Sequence, residues 1–174
     1  SEMCIRDSNI GYQYTDCPLY WISVIYLNFA EAKAEMGSLT QDDLNNSINK
    51  LQARAGLPAM TTTPDADPAN NMGVSNLIWE IRRCRRCELI MDNWYRYWDL
   101  IRWHQLDKLD STKYPNTMLG ANVSNVPDCE EATKNGYIDA SDAQIRTYEA
   151  KHYFYPIPTT QLTLNKNMKQ NPGW

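Results

Sequence analysis

Phenylalanine is scarce in this chain: two occur in 174 residues, against eleven tyrosines and six tryptophans. The rings therefore carry polar handles almost throughout, which suits half-wet surfaces, interfaces, or a core whose hydroxyls and indole nitrogens find partners. No run of about 18 apolar residues exists, so no segment reads as a membrane-spanning helix. A basic excess is also lacking: the net charge is −4, which argues against a general nucleic-acid binder. The five cysteines are odd in number, scattered, and too sparse for a disulfide scaffold. Seven glycines and nine prolines are too few for low complexity. The opening shows no charged region followed by an apolar stretch and a cleavage site. SEMCIRDS leads into no pattern, and residues 1–17 stay unassigned as a leader.

What is present reads as one domain's worth of chain with a globular share of hydrophobic residues, 43%. The segment PLYWISVIYLNFAEAKAEMG is apolar on more than one face and stops at Gly37, a residue suited to a left-handed C-terminal cap. It is expected to be a largely buried helix. Thr40 offers an N-cap hydroxyl, with Asp42 and Asp43 in the first turn where the helix dipole favours them. Leu44, Ile48, Leu51 and Ala55 then repeat at spacings of four, three and four, up to Gly56 and Pro58. The two helices make a hairpin over residues 20–55, about the length of a tetratricopeptide unit, and one such hairpin cannot bury its own faces.

LPAMTTTPDADPANNMG, residues 57–73, has three prolines and reads as a loop. A long helix is expected over 74–106, with a bend favoured at Asp92-Asn93 because both side chains compete for backbone bonds. Residues 107–150 have weak periodicity and read as irregular, with a short helix near Ala140 to Ala150. The tail, 151–174, reads as an extended Tyr-Pro stretch, a helical turn after Pro158 and a closing Asn-Pro-Gly turn. The fold class is mainly α.

The stretch IRRCRRCELIMDNWYRYWDLIRW, residues 81–103, concentrates the candidate chemistry. Its Cys84-Cys87 pair could start a zinc site, but tetrahedral zinc needs two more ligands, and His104 and His152 are isolated. No metal or cofactor is expected. Arg82 and Arg86 stand one turn apart, a like-charge spacing that costs a bare helix about 0.2–0.5 kcal/mol per pair, so the row needs acidic partners, with Glu88 three residues from Arg85 and others from different segments. Trp94, Tyr95, Tyr97, Trp98 and Trp103 are spread around the helix axis, which favours packing over a sugar platform. Asp92, Arg96, Asp99 and Arg102 form a ladder of ion-pair offsets. There is no glycine-rich phosphate loop, nucleophile elbow or His-Glu-x-x-His pair. The carboxylate pairs sit beside arginines, a placement that does not make general acids, so a non-catalytic role is expected.

Three motifs in order carry a resemblance: the hairpin ending INKLQARAGLP, the arginine-rich stretch, and YFYPIPTTQLTLNKNMKQNPGW. The chain resembles the C-terminal part of the SusD/RagB family, surface glycan-binding lipoproteins of Bacteroidota. Ile81, Arg82, Arg85, Arg86, Glu88, Leu89, Arg96, Asp99, Leu100, Arg102 and Trp103 match its central pattern. Tyr155, Pro156, Ile157, Pro158, Gln170, Asn171, Pro172, Gly173 and Trp174 match its ending. Cys84 stands where the family commonly has Glu, and Asp92-Asn93 where it has Glu-Gly.

The resemblance implies a helical fold built on tetratricopeptide-like hairpins and a longer protein with a lipidated N-terminus at the cell outer membrane. It also implies oligosaccharide binding without bond cleavage, and partnership with a SusC-like TonB-dependent transporter. The matched motifs are then scaffold, and the sugar-contacting residues fall elsewhere. A tetratricopeptide-type adaptor is the alternative. A glycan-cleaving enzyme would need two carboxylates facing each other at about 5–10 Å.

Overall fold

The computed structural model describes residues 20–90, 95–126, 133–139 and 144–174. The chain divides into two compact units, Ser1–Met91 and Asp92–Trp174, and is mainly helical.

In the first unit, helix α1 (Ile22–Glu35) buries Ser23, Val24, Leu27, Ala30 and Glu31. It closes as its glycine suggests: Gly37 takes φ +66°, its N–H donates to Ala34 O at 3.0 Å, and the Ser38 N–H donates to Lys33 O at 3.0 Å. Thr40 then starts α2 (Gln41–Asn45) with a reciprocal cap, its hydroxyl accepting from the Asp43 N–H while the Asp43 carboxylate accepts from its own N–H.

The single helix expected up to Ala55 is interrupted here, because α2 stops and α3 (Ile48–Arg54) restarts after Asn46-Ser47. The Ser47 hydroxyl takes Asp43 O at 2.6 Å, and the Ser47 N–H bonds Leu44 O instead. Such local competition with the backbone is why serine weakens helix interiors. Leu44, Ile48 and Leu51 are nevertheless buried as their spacing predicts, whereas Ala55 is exposed.

The loop over 57–73 has no regular element but is firmly tethered. Buried Asn49 accepts from the Met60 N–H at 2.7 Å and donates to Met60 O at 3.1 Å, which places Met60 in the core. Ser75 caps α4 (Asn76–Glu88). The expected long helix is therefore two: α4, and in the second unit α5 (Tyr95–Arg102). Leu89 leaves helical backbone at φ −103°, ψ 25° while its side chain stays buried. The bend expected at Asp92-Asn93 lies outside the described residues.

In the second unit α5 buries Asp99 and Leu100 and ends at His104, which adopts φ +52° with its N–H on Ile101 O and the Gln105 N–H on Leu100 O. This repeats the closure at Gly37 with a residue that bears a Cβ. Single turns of 3-10 helix follow at Leu106–Leu109, Pro115–Met118 and Ala150–Tyr153, and α6 spans Thr159–Leu164.

The region expected to be irregular holds a small antiparallel sheet, with β1 (Leu119–Asn122) and β2 (Thr133–Lys134) on either side of β3 (Tyr137–Asp139). Strands β2 and β3 pair Thr133 with Ile138 and Lys134 with Tyr137. Asn135 at φ +54° and Gly136 at φ +79° close this hairpin, and Asn-Gly is the dipeptide a two-residue turn of that twist demands. The short helix expected over 140–150 does not form in its described part, 144–149. Its backbone is bonded sideways instead: Ser111 holds both the N–H and the carbonyl of Arg146, and the Tyr148 N–H donates to Asp110.

Candidate functional site

The arginine row on α4 separates by helical face. Arg82 and Arg85, one turn apart, are buried against α1. The Arg82 guanidinium donates from Nε to Glu31 at 3.3 Å and from Nη2 to Glu35 at 3.0 Å, and Arg85 Nη1 donates to Asn28 Oδ1 at 2.8 Å. Asn28, Glu31 and Glu35 sit at offsets of three and four along α1, so one polar edge of that helix faces one polar edge of α4. Arg83 pairs with Glu80 on its own helix, and Arg86 is exposed.

Glu88, expected as a neighbour for Arg85, instead accepts from Arg54 of α3 at 2.6 and 2.7 Å. The spacing along α4 suggested the local pair. The hairpin supplies the real partners for all three positions, and no single-helix pattern could have named them.

Cys84 is half-buried, accepts from the Gln52 amide at 3.7 Å, and is pushed up to about 11 mainly by burial, with the Glu88 charge adding to it. That keeps it a protonated thiol rather than a thiolate. Among the described residues no three His, Cys, Asp or Glu side chains gather where an ion could sit.

Between the tethered loop and α4 lies an open cleft of about 560 Å³, bordered by Leu57 to Thr61, Thr63, Pro64 and Asp65 on one side and by Gln52, Glu80 and Arg83 on the other. No single segment of the sequence announces this cleft, because it exists only where Asn49 and Gln41 hold the loop back against α2 and α3. Nearby, the Trp79 indole donates to Asp67 at 2.9 Å, which holds that carboxyl below its usual range.

In the second unit the ladder on α5 is partly realised. Arg102 Nε donates to buried Asp99 at 2.9 Å, and the guanidiniums of Arg102 and Arg96 lie 4.9 and 5.9 Å from the centroid of the buried Trp103 ring. Two cations over one indole make a stacked, largely intramolecular cluster. The other rings do not share its burial. Trp98 is 55% exposed and meets Tyr97 edge-on at 5.5 Å, and the Tyr97 hydroxyl bonds that of exposed Tyr155, which raises the Tyr97 pKa. Trp94 and Asp92 lie outside the described residues.

The two tail motifs close on each other. Pro156 and Pro158 lack N–H groups, so Ile157 offers the only backbone donor between Tyr155 and Thr159. The Gln170 amide answers both Ile157 groups, accepting from its N–H at 2.8 Å and donating to its carbonyl at 2.9 Å. Asn171 Nδ2 donates to Tyr155 O at 2.6 Å, and the Trp174 indole donates to Phe154 O at 3.0 Å and Lys151 O at 3.2 Å. Pro172 and Gly173, the latter at φ +88°, form the turn that returns the Trp174 N–H to Asn171 O. Tyr153 ties this tail to the end of α5, its hydroxyl accepting from the Leu106 N–H and its ring lying 5.0 Å from that of His104.

The family model described as "SusD family" matches residues 6–174. The chain belongs to the SusD family. A SusD-like protein from Bacteroides fragilis NCTC 9343 is similar in structure, with a TM-score of 0.59 and 25% identity over 87% of this chain and 25% of that one. A second solved protein, BT4246, gives a TM-score of 0.62 and 25% identity over 92% of this chain and 24% of that one. The chain thus spans about a quarter of the length of these two solved proteins. No curated protein matches it.

Proposed function

We propose that this chain is the C-terminal portion of a surface glycan-binding lipoprotein of the bacterial outer membrane. It acts without catalysis and works with a SusC-like TonB-dependent transporter in oligosaccharide uptake. The observation that supports this reading is the family match over residues 6–174. Within it, the motif residues Arg82, Arg85, Asp99 and Trp103 are turned inward as structural members, while the tail motif spends its side chains on its own backbone. A scaffold of this kind holds loops and rings in place for a ligand and needs no reacting group of its own.

Isothermal titration of the full-length protein against a panel of oligosaccharides tests the reading. Binding with unchanged sugar afterwards is the expected result. Chromatographic evidence of shortened sugar would assign an enzyme instead, and failure of the protein to co-purify with a TonB-dependent transporter encoded beside it would remove the partner.

A further inference from the structure

The cleft between the tethered loop and α4 holds a hydrogen-bond acceptor that nothing answers. Gln52 lines it and is 7% exposed, yet among the described residues its side chain makes one hydrogen bond, a 3.7 Å donation to Cys84 Sγ. Sulfur is a weak acceptor, and the Gln52 carbonyl oxygen has no partner there at all. No sealed side-chain nitrogen or oxygen of the described residues lacks a partner, so this oxygen reaches solvent, by way of the cleft that Gln52 lines. An amide oxygen so placed is answered by what enters the cleft, water or a ligand hydroxyl.

The walls around it are preformed. Asn49 and Gln41 fix Met60 and Thr62 at one end of the loop, and the Trp79 indole holds Asp67 at the other. A ligand is thereby spared the cost of ordering them. Arg83 commits two of its five N–H groups to Glu80, which keeps the pair electrically neutral and leaves three donors. Exposed Thr61 and Thr63 add hydroxyls, and Leu57, Pro58 and Pro64 add aliphatic surface.

An anion entering here would meet Asp65 and Glu80, and a cation would meet Arg83. What suits the cleft is a neutral molecule dense in hydroxyls, with a carbon skeleton to lie on the prolines. The volume of about 560 Å³ falls within the range of about 300–1,000 Å³ usual for small-molecule sites. We propose that this cleft binds one neutral sugar unit, its hydroxyls donating to Gln52 and Glu80 and accepting from Arg83. In choosing a sugar among neutral polyols the proposal rests on the glycan-binding function of the whole protein, and it adds a contact inside this chain to a portion otherwise assigned as scaffold. No aromatic ring is among the lining residues, so binding is expected at the weak end, with a Kd on the order of 1 mM.

The test labels leucine and threonine methyl groups in the full-length protein, so that Leu57, Thr61 and Thr63 report by NMR. Methyl α-D-glucopyranoside, methyl β-D-galactopyranoside and methyl α-D-mannopyranoside are the probes, and sodium glucuronate is the anionic control. At least one neutral glycoside is expected to shift the three signals saturably, with glucuronate weaker. Arg83→Gln and Gln52→Leu should each weaken that glycoside about tenfold. Arg83 is exposed, so its variant decides the matter if Gln52→Leu does not fold. No saturable shift from any of the three glycosides would overturn the proposal, as would a response unchanged by Arg83→Gln or stronger for glucuronate. Calorimetry with oligosaccharides on the same sample separates the two claims: binding heat with silent cleft methyls removes the cleft alone, and absence of heat with every oligosaccharide removes glycan binding by the whole protein.

Discussion

The two units achieve order by different means. In the first, Val24, Leu27, Leu44, Ile48, Leu51, Met60 and Ile81 are buried between helices, and the buried guanidiniums of Arg82 and Arg85 are answered by carboxylate and amide oxygens from another helix. In the second, the buried hydrophobic residues among those described are Leu100, Trp103 and Leu106, and side chains bonded to backbone hold the rest. Gln170 on Ile157, Asn171 on Tyr155 and Asp110 on Tyr148 are the examples. Burial between helices is cooperative and spreads a loss widely, whereas a side chain bonded to backbone fails locally. One family pattern thus encodes a packed half and a laced half.

The strongest challenge to this contrast is Arg82→Ala. It removes the Arg82 guanidinium from Glu31, 3% exposed, and the first unit is expected to lose about 3–5 kcal/mol in denaturant melts. A loss below about 1 kcal/mol would show that the guanidinium row is decoration. Next in size is Asn49→Ala, which orphans the Met60 N–H and leaves its carbonyl to Gln41 alone, and should cost about 1–3 kcal/mol. Because Asn49 laces backbone inside the packed half, global melting there and local opening at 57–65 are distinguishable by hydrogen exchange.

Gln170→Ala should cost about 1 kcal/mol and speed exchange of the Ile157 amide, with no change in the amides of α1 and α4. Slower or unchanged exchange at Ile157 would break the laced description.

The smallest effects separate the halves by pH and salt. Asp43 is held down to about 2, first by the Lys33 ammonium and then by Thr40, and Asp110 is held down to about 2, first by the Thr112 hydroxyl and then by the Tyr148 N–H. A depressed carboxyl contributes stability that is present above its unfolded pKa near 4 and is lost as pH falls through the folded value. Both contributions should therefore disappear between about pH 4 and 2. Added salt should weaken the Asp43 contribution, an ion pair, and leave that of Asp110, bonded to neutral groups. NMR titration of the Asp43 and Asp110 carboxyls at low and high salt, with melts of Asp43→Asn and Asp110→Asn across about pH 2–7 as the non-titrating references, checks both.

Much of the first unit was legible because its signals are local: Gly37 and Gly56 at helix ends, Thr40 with Asp43 as a cap, and the three-and-four spacing of Leu44, Ile48 and Leu51. The partners of Arg82, Arg85 and Glu88 were not, since Glu31, Asn28 and Arg54 lie between 34 and 57 residues away. The Asn135-Gly136 hairpin could have been read from its dipeptide, but short strands with weak alternation hid it. The tail motifs were visible as words, and the structure adds that Gln170 and Ile157 are bonded to each other.

That bond has a further consequence. An extended segment ordinarily invites a neighbouring chain to pair along its open amides, the route by which edge strands seed aggregates. Between Tyr155 and Thr159 two prolines have removed the donors and Gln170 occupies the one that remains, so this stretch can lie straight at the surface and still offer an intruding strand no amide to pair with.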